Sequence, residues 1–238
     1  MLPFRLTSTL APYTIDKSSM ILSNSRNWTT FIDKFDLHLH TVSACYVNML
    51  TISNCSLEQT PLTLEHLNQV WYLSLINNTL NISSNLTQLL ELSYLTIHQT
   101  SSQQIPSMLE RLPSSLSTMN LSCTNFSNWP DWIQSSWAKV TRLHFISCLS
   151  VKILESILKL REMTILDLSQ NHLKSLSDTI WPKLTTLILS GNQLQDINES
   201  IFILSSLQNL ALDGNNISSC NFQPSINLVL KDNPCYTC

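Results

Sequence analysis

The chain repeats one short pattern, Leu-x-x-Leu-x-Leu-x-x-Asn-x-Leu, over most of its 238 residues. Three copies are nearly complete and occupy residues 163–173, 184–194 and 207–217. All copies align on the first apolar residue of the Leu-x-Leu pair, here called the reference position, which is held by Leu50, Leu73, Leu95, Met119, Leu143, Leu166, Leu187, Leu210 and Leu228. Successive reference positions lie 18 to 24 residues apart. This spacing is at or near the roughly 20 to 29 residues of a solenoid coil, and it predicts a stack of similar coils.

Each Leu-x-Leu pair predicts a short strand. Because side chains alternate along a strand, both apolar residues point inwards and their neighbours point outwards. Apolar residues then recur three positions apart, as at Ile157, Leu160 and Met163, which fits a helical or 3₁₀ return leg. The sequence therefore predicts an α/β solenoid, a horseshoe of about nine turns with short parallel strands on the concave face and irregular, 3₁₀ or helical convex legs.

The repeats predict one elongated domain over residues 46–238, because each coil is stabilised mainly by its neighbours. Residues 1–45 lack the pattern, and Leu37 lies only 13 residues before Leu50, which is too close for a full repeat. We expect this stretch to form an amino-terminal leader and cap, since a terminal coil would otherwise expose its stacked face to water.

A polar slot lies five residues after each reference position. An inward asparagine amide there can bond backbone groups of its own coil and of the next one. We predict a structural ladder, the asparagine ladder, formed by Asn78, Asn171, Asn192, Asn215 and Asn233. The other repeats fill the slot with side chains of lower hydrogen-bonding capacity, namely Cys55, Thr100, Thr124 and Cys148. The first five repeats should therefore be less regular than the last four.

The repeat resembles that of leucine-rich-repeat proteins, over about Leu50 to Cys238. The ending Asn233-Pro-Cys-Tyr-Thr-Cys238 resembles the Asn-Pro-x-x-Cys ending of extracellular members, and the leg Ile201-Phe-Ile-Leu-Ser-Ser-Leu207 resembles those of plant-type and oomycete-type receptor-like proteins and kinases. The resemblance implies a receptor ectodomain whose last coil is closed by cysteines. The candidates for this closure are Cys220, Cys235 and Cys238, with Cys220 bridged to either of the others in an oxidising compartment.

A zinc site is the alternative for Cys235-x-x-Cys238, which has the separation of a zinc knuckle. The chain has no matching second pair, and its six histidines are scattered. We therefore expect no metal ion and no cofactor.

Nine Asn-x-Ser/Thr sequons exceed the about five that this Ser-, Thr- and Asn-rich composition would give by chance. They lie at Asn27, Asn54, Asn77, Asn81, Asn85, Asn120, Asn125, Asn198 and Asn216. The sequence has no signal-peptide h-region and no apolar run long enough for a membrane span. It is therefore either an intracellular scaffold or adaptor, or an ectodomain fragment without leader and anchor. We favour the fragment and expect a glycoprotein with a signalling role at the cell surface.

Charge and motifs exclude other function classes. The net charge is −3, and the sequence has no Lys/Arg cluster of the kind that binds a phosphate backbone. Both observations argue against a nucleic-acid partner. No Ser or Cys stands in a recognisable nucleophile turn, and the only two glycines, Gly191 and Gly214, lie in repeat turns rather than in a kinase loop. We expect no enzyme.

Function should then lie on the concave face, where outward strand residues form columns. Tyrosine and arginine often carry binding energy in interfaces. The predicted patch for a protein or peptide partner comprises Tyr72, Tyr94, His98, Arg142, His144 and Asp167. A plain solvated sheet is the alternative, because tyrosine favours strands regardless of function. A glycan on Asn120 would project into this face.

Overall fold

A computed structural model of the chain describes residues 13–16, 19–23, 47–54, 56–57, 67–80, 86–98, 109–122, 133–148, 157, 160–176, 181–219 and 225–236. Two compact units divide the chain, Met1–Ser117 and Thr118–Cys238. Each of the nine reference positions is preceded by the first residue of a strand, and each strand is parallel to its repeat neighbours within its own unit. The predicted solenoid fold is confirmed.

The first unit contains, among its described residues, the strands β1 (Tyr13–Asp16), β2 (Ser19–Ser23), β3 (Met49–Ser53), β4 (Ser56–Leu57), β5 (Tyr72–Ile76), β6 (Thr79–Leu80) and β7 (Tyr94–His98). β3, β5 and β7 pair in parallel with the reference residues Leu50, Leu73 and Leu95 in register. These three leucines are buried. β4 pairs with β6 in a separate short parallel sheet.

β2 is a strand that the repeat pattern did not predict. It pairs in parallel with β3, with Met20 opposite Leu50 and Leu22 opposite Ile52, while β1 pairs with β2 in antiparallel fashion. Met20 lies 30 residues before Leu50, outside the repeat spacing, so the period could not reveal it. The Leu37 segment lies outside the described residues, and the predicted boundary at residue 45 stays a prediction.

The second unit contains, in its described part, β8 (Thr118–Ser122), β9 (Arg142–His144), β10 (Ile165–Asp167), β11 (Thr186–Ile188), β12 (Asn209–Ala211) and β13 (Asn227–Val229). All pair in parallel in this order. Leu166, Leu187 and Leu210 stand in register and are fully buried or nearly so. These residues form the spine of the apolar core.

The described return legs are short. The first unit has a 3₁₀ turn at Leu86–Gln88. The second unit has the helix α1 (Ile133–Ser136) and 3₁₀ turns at Glu199–Ile203 and Pro234–Tyr236. Leu86 and Ile201 turn inwards from such legs and are buried, which follows from the three-residue apolar spacing.

The asparagine ladder bonds the backbone of two coils at once. Asn192 Nδ2 donates to the Leu189 carbonyl of its own coil at 2.8 Å and to the Leu168 carbonyl of the preceding coil at 2.9 Å. Its Oδ1 accepts from the Leu173 amide at 3.0 Å. Asn215 and Asn233 repeat this three-bond arrangement one and two coils on. The slot is structural because a single side chain satisfies buried donors and acceptors of adjacent coils.

Cys148 occupies the same slot with a side chain of lower hydrogen-bonding capacity. Its Sγ lies 2.9 Å from the Leu121 carbonyl and 3.2 Å from the Ile146 carbonyl, but a thiol has one proton to donate. The Asn171 Oδ1 of the next coil accepts from the Cys148 amide itself, at 3.0 Å, so the bonding differs from that around Asn192. Asn78 in the first unit donates to the Ile52 carbonyl at 2.9 Å. Cys55, Thr100 and Thr124 lie outside the described residues, and the lower regularity of the first repeats stays a prediction.

A second row of side-chain bonds lies two residues before the reference positions. Thr164 Oγ1 donates to the Thr141 carbonyl and Thr185 Oγ1 to the Thr164 carbonyl, both at 3.0 Å. The Thr141 carbonyl also accepts the backbone amides of Thr164 and Ile165. In the first unit, Ser93 makes the corresponding bond to Trp71. The recurring Ser/Thr at this position was a signal that the repeat analysis missed.

The residue just before the ladder slot has a left-handed backbone in every described repeat turn of this kind, at Asn54, Asn77, Ser147, Gln170, Gly191, Gly214 and Asp232. Glycine adopts this conformation without steric cost. At Gly191 a side chain would also collide with the Gln170 side chain of the preceding coil. The turn geometry thus accounts for both glycines of the chain.

Replacing Asn192 by Ala should lower the free energy of unfolding by about 1–3 kcal/mol. The Leu168 and Leu189 carbonyls would still accept hydrogen bonds from the side-chain Nδ2 atoms of Asn171 and Asn215, respectively. The buried Leu173 backbone amide, however, would lose its acceptor. Urea unfolding monitored by circular dichroism measures the change. The exposed neighbour Gln193, replaced by Ala, is the matched control and should change stability little; an equal effect of both variants would contradict the ladder.

Candidate functional site

The outward face of the first unit carries an aromatic group, here called the tyrosine cluster, formed by Trp71, Tyr72 and Tyr94. Tyr72 and Tyr94 begin β5 and β7 and stand opposite each other in the strand register. Their ring centroids lie 5.2 Å apart at an interplanar angle of 31°. Trp71 meets Tyr72 edge-on at 5.9 Å and is 43% exposed. The sequence placed the two tyrosines in one column, whereas Trp71 was not predicted as part of the site.

The backbone fixes the position of these rings. The amides of Ser93 and Tyr94 both donate to the Trp71 carbonyl, at 2.9 and 3.0 Å, and Trp71 in turn donates to the Asn48 carbonyl at 2.9 Å. Within the described residues the structure records no hydrogen bond from either phenol hydroxyl or from the Trp71 indole. The cluster therefore presents aromatic surface and polar atoms on a rigid support.

The other described outward positions on the strands beside the tyrosine cluster are uncharged apart from histidine. The other outward positions of β3, β5 and β7 are Met49, Thr51, Ser53, Ser74, Ile76, Thr96 and His98. Of these, Ser74 is buried and the rest are partly exposed. His98 ends the same strand that Tyr94 begins, as predicted from the columns.

The second unit brings His144 and Asp167 together, here called the histidine–aspartate pair. His144 Nδ1 lies 3.5 Å from Asp167 Oδ2, across the register of β9 and β10. Asp167 Oδ1 accepts from the Ser169 amide at 3.0 Å. The Asp167 side chain is only 10% exposed, so it is less accessible than an outward strand position implies. Arg142, two residues before His144, is exposed and forms none of the ion pairs recorded between described residues.

The pKa of Asp167 lies below its ordinary value of 3.8. Burial by itself would raise this pKa, but it is outweighed by hydrogen bonds from the side chains of His144 and Ser169, by the Ser169 backbone amide and by the charge of His144. The carboxylate is therefore ionised and bonded on two sides, which makes it a positioning group for His144.

The order of these groups differs from that of a catalytic triad. In a serine hydrolase the imidazole lies between the carboxylate and the nucleophilic hydroxyl. Here Asp167 lies between Ser169 and His144, so His144 is not placed to take a proton from Ser169. The described residues also hold no group of three or more His, Cys, Asp or Glu side chains arranged to ligate a metal ion.

Five of the predicted sequons fall on described residues. Asn54 and Asn77 are exposed on left-handed turns and joined by a 2.7 Å bond from Asn77 Nδ2 to Asn54 Oδ1. Asn198 and Asn216 are exposed, and Asn198 caps the 3₁₀ turn that follows it. Asn120 Oδ1 is buried without a partner. The remaining candidates, Asn27, Asn81, Asn85 and Asn125, lie outside the described residues.

The predicted cysteine closure falls mostly outside the described part of the chain. Cys235 forms a disulfide bond, while Cys220 and Cys238 are not among the described residues, so the pairing stays a prediction. Cys148 in the ladder slot is buried and is not disulfide-bonded. Across the described residues no helix combines the length and apolar character that a membrane span requires.

Parallel strands in register, an inward asparagine ladder and an outward strand face define the fold of this chain as a leucine-rich-repeat solenoid. A leucine-rich-repeat protein of Leptospira interrogans superposes with a TM-score of 0.62 at 21% identity, over 79% of this chain and 50% of that one. InlP of Listeria monocytogenes superposes with a TM-score of 0.55 at 22% identity, over 76% of this chain and 54% of that one. The chain thus spans about half the length of either protein. No family model and no curated protein sequence matches it.

The histidine–aspartate pair predicts an acid-sensitive stability. A carboxyl group whose pKa is lower in the folded state stabilises the fold above its unfolded pKa, and this contribution is lost as pH falls through the folded value. The free energy of unfolding should therefore decrease below about pH 4, and Asp167→Asn should remove part of that decrease. Urea unfolding over a series of pH values measures it. Asp196→Asn, at an exposed aspartate, is the control; an unchanged acid dependence in Asp167→Asn would contradict the pair.

Proposed function

We propose that this chain is a non-catalytic recognition module that binds a protein or peptide partner through the concave face of its strands. The observation that supports this most strongly is the contact between the Tyr72 and Tyr94 rings, which are partly exposed and have Trp71 beside them. Tyrosine and tryptophan are among the residues that most often dominate binding energy at interfaces.

The support beneath the tyrosine cluster favours binding as well. The two strands that carry the tyrosines of the cluster, β5 and β7, are each fixed by backbone bonds to the coil before them. Aromatic side chains with two torsions, held on such a base, lose little conformational entropy when a partner docks. The interaction energy of the rings is therefore retained in the affinity.

The second unit supplies a separate contact candidate. Arg142 is exposed at the start of β9, and His144, which ends that strand, is partly exposed while Asp167 holds its ring from one side. Arginine and a positioned histidine can donate hydrogen bonds to carbonyl or carboxylate groups of a partner. In this proposal Arg142 and His144 contact the partner and Asp167 orients His144.

Replacing both Tyr72 and Tyr94 by Ala should weaken binding of a partner captured with this domain by more than about 1 kcal/mol, or roughly fivefold in Kd. Titration calorimetry with the purified partner measures the loss, and thermal unfolding should be unchanged because the rings are not part of the leucine core. Leu90→Ala provides the control, since Leu90 is apolar and 67% exposed on a return leg of the same unit. Equal affinity of the tyrosine variant and the wild type would exclude the tyrosine cluster.

We also propose that the chain is the extracellular part of a receptor. The exposed sequon residues Asn54, Asn77, Asn198 and Asn216 support this proposal, as does the disulfide bond of Cys235, because disulfides persist mainly in oxidising compartments. An intracellular scaffold or adaptor built on the same solenoid is the alternative.

Enzymatic removal of N-glycans distinguishes these two locations. Protein purified from its native cells should lose mass on deglycosylation, and intact-mass spectrometry under non-reducing conditions should show Cys235 oxidised. Treatment with a heat-inactivated glycosidase is the control. An unchanged mass together with fully reduced cysteines would favour the intracellular scaffold.

A further inference from the structure

We infer that the tyrosine cluster binds an uncharged, proline-containing peptide segment in the polyproline II conformation. This inference rests on the proposed function, because it names the kind of peptide that the same surface would take. It concerns the first unit alone, where Trp71, Tyr72 and Tyr94 lie together on adjacent repeats.

The chemistry of the cluster matches that of a polyproline II segment. Such a segment has no internal hydrogen bonds, so its carbonyl groups are free to accept, and its pyrrolidine rings pack on aromatic surfaces. The two phenol hydroxyls and the Trp71 indole can donate to those carbonyls, and the structure records no internal partner for them among the described residues. Trp71 meets Tyr72 edge-on at 66° and is 43% exposed, so it offers a further ring surface on which a pyrrolidine ring can pack.

The repeat spacing matches as well. A polyproline II helix advances about 9.3 Å per three-residue turn. Neighbouring strands lie about 4.8 Å apart, so two repeats span about 9.6 Å. A peptide segment that runs across β3, β5 and β7 therefore advances by nearly one of its own turns for every two repeats. It meets Met49 and Tyr94 one turn apart, and Tyr72 lies between them.

The charge pattern selects an uncharged ligand. No Lys, Arg, Asp or Glu occupies an outward position on β3, β5 or β7. A charged side chain of a peptide lying here would lose water without gaining an opposite charge. The peptide cannot bind by pairing with β5 as an additional strand, because both edges of β5 are already paired, with β3 and β7.

Fluorescence anisotropy with a labelled decaproline peptide, blocked at both ends, tests the inference on the full chain. A Gly-Ser peptide of equal length and a proline peptide with alternating Lys are the comparison probes. We expect saturable binding of decaproline, weaker than about 1 μM but tighter than about 1 mM, and at least fivefold weaker binding of both comparison probes. Tyr72→Ala and Tyr94→Ala should each weaken decaproline binding at least threefold, while Leu90→Ala should not change it.

Tyr72→Phe separates ring packing from hydrogen bonding. It keeps the ring and removes the hydroxyl, so it should weaken binding less than Tyr72→Ala does, and thermal unfolding of every variant confirms that the fold is intact. Absence of saturable decaproline binding, or equal binding of decaproline and the Gly-Ser peptide, would overturn the inference. If a captured protein partner still depends on both tyrosines in that case, the proposed function stands and only the peptide class is wrong; if neither the partner nor the peptide depends on them, both fail.

Discussion

Each coil of this protein must satisfy the inward backbone groups of the coil before it, and the asparagine ladder meets that requirement. One side chain, such as Asn192, donates to carbonyls of two coils and accepts from an amide of the preceding one. A buried amide or carbonyl without a partner lowers the free energy of unfolding, so such bonds stabilise the stacking of the coils. The leucine core stabilises the stack, but the ladder sets its register.

The same register creates the surface proposed here for recognition. Strands that align their reference leucines also align the residues before them, which places Tyr72 beside Tyr94 although they are far apart in the chain. The hydroxyl bonds of Thr164 and Thr185 fix the entry to β10 and β11 in the second unit. In the proposed function, the side chains that contact a partner stand on a backbone fixed by bonds between neighbouring strands, which lowers the entropy lost on binding.

The structural positions of the leucines, asparagines and glycines were predictable from the sequence, because each residue type recurs at a fixed place in the repeat. The stacking of Leu166 on Leu187 and the turn at Gly191 follow from that period directly. The burial of Asp167 does not follow from the period. It depends on the contacts that Asp167 makes with His144 and Ser169. Trp71 likewise joined the site through its contact with Tyr72, which no alternation rule for strands specifies.

The amino-acid sequence by itself determined the coil length, the inward and outward faces and the identity of the ladder residues, because these properties depend on local spacing and on backbone groups that are the same in every coil. Only the tertiary structure decided that β2 pairs with β3, that the Cys148 amide donates to Asn171 and that Asp167 is covered while the tyrosines stay partly exposed. Those outcomes depend on contacts between residues about one coil or more apart, where the shape and charge of each neighbour decide the result.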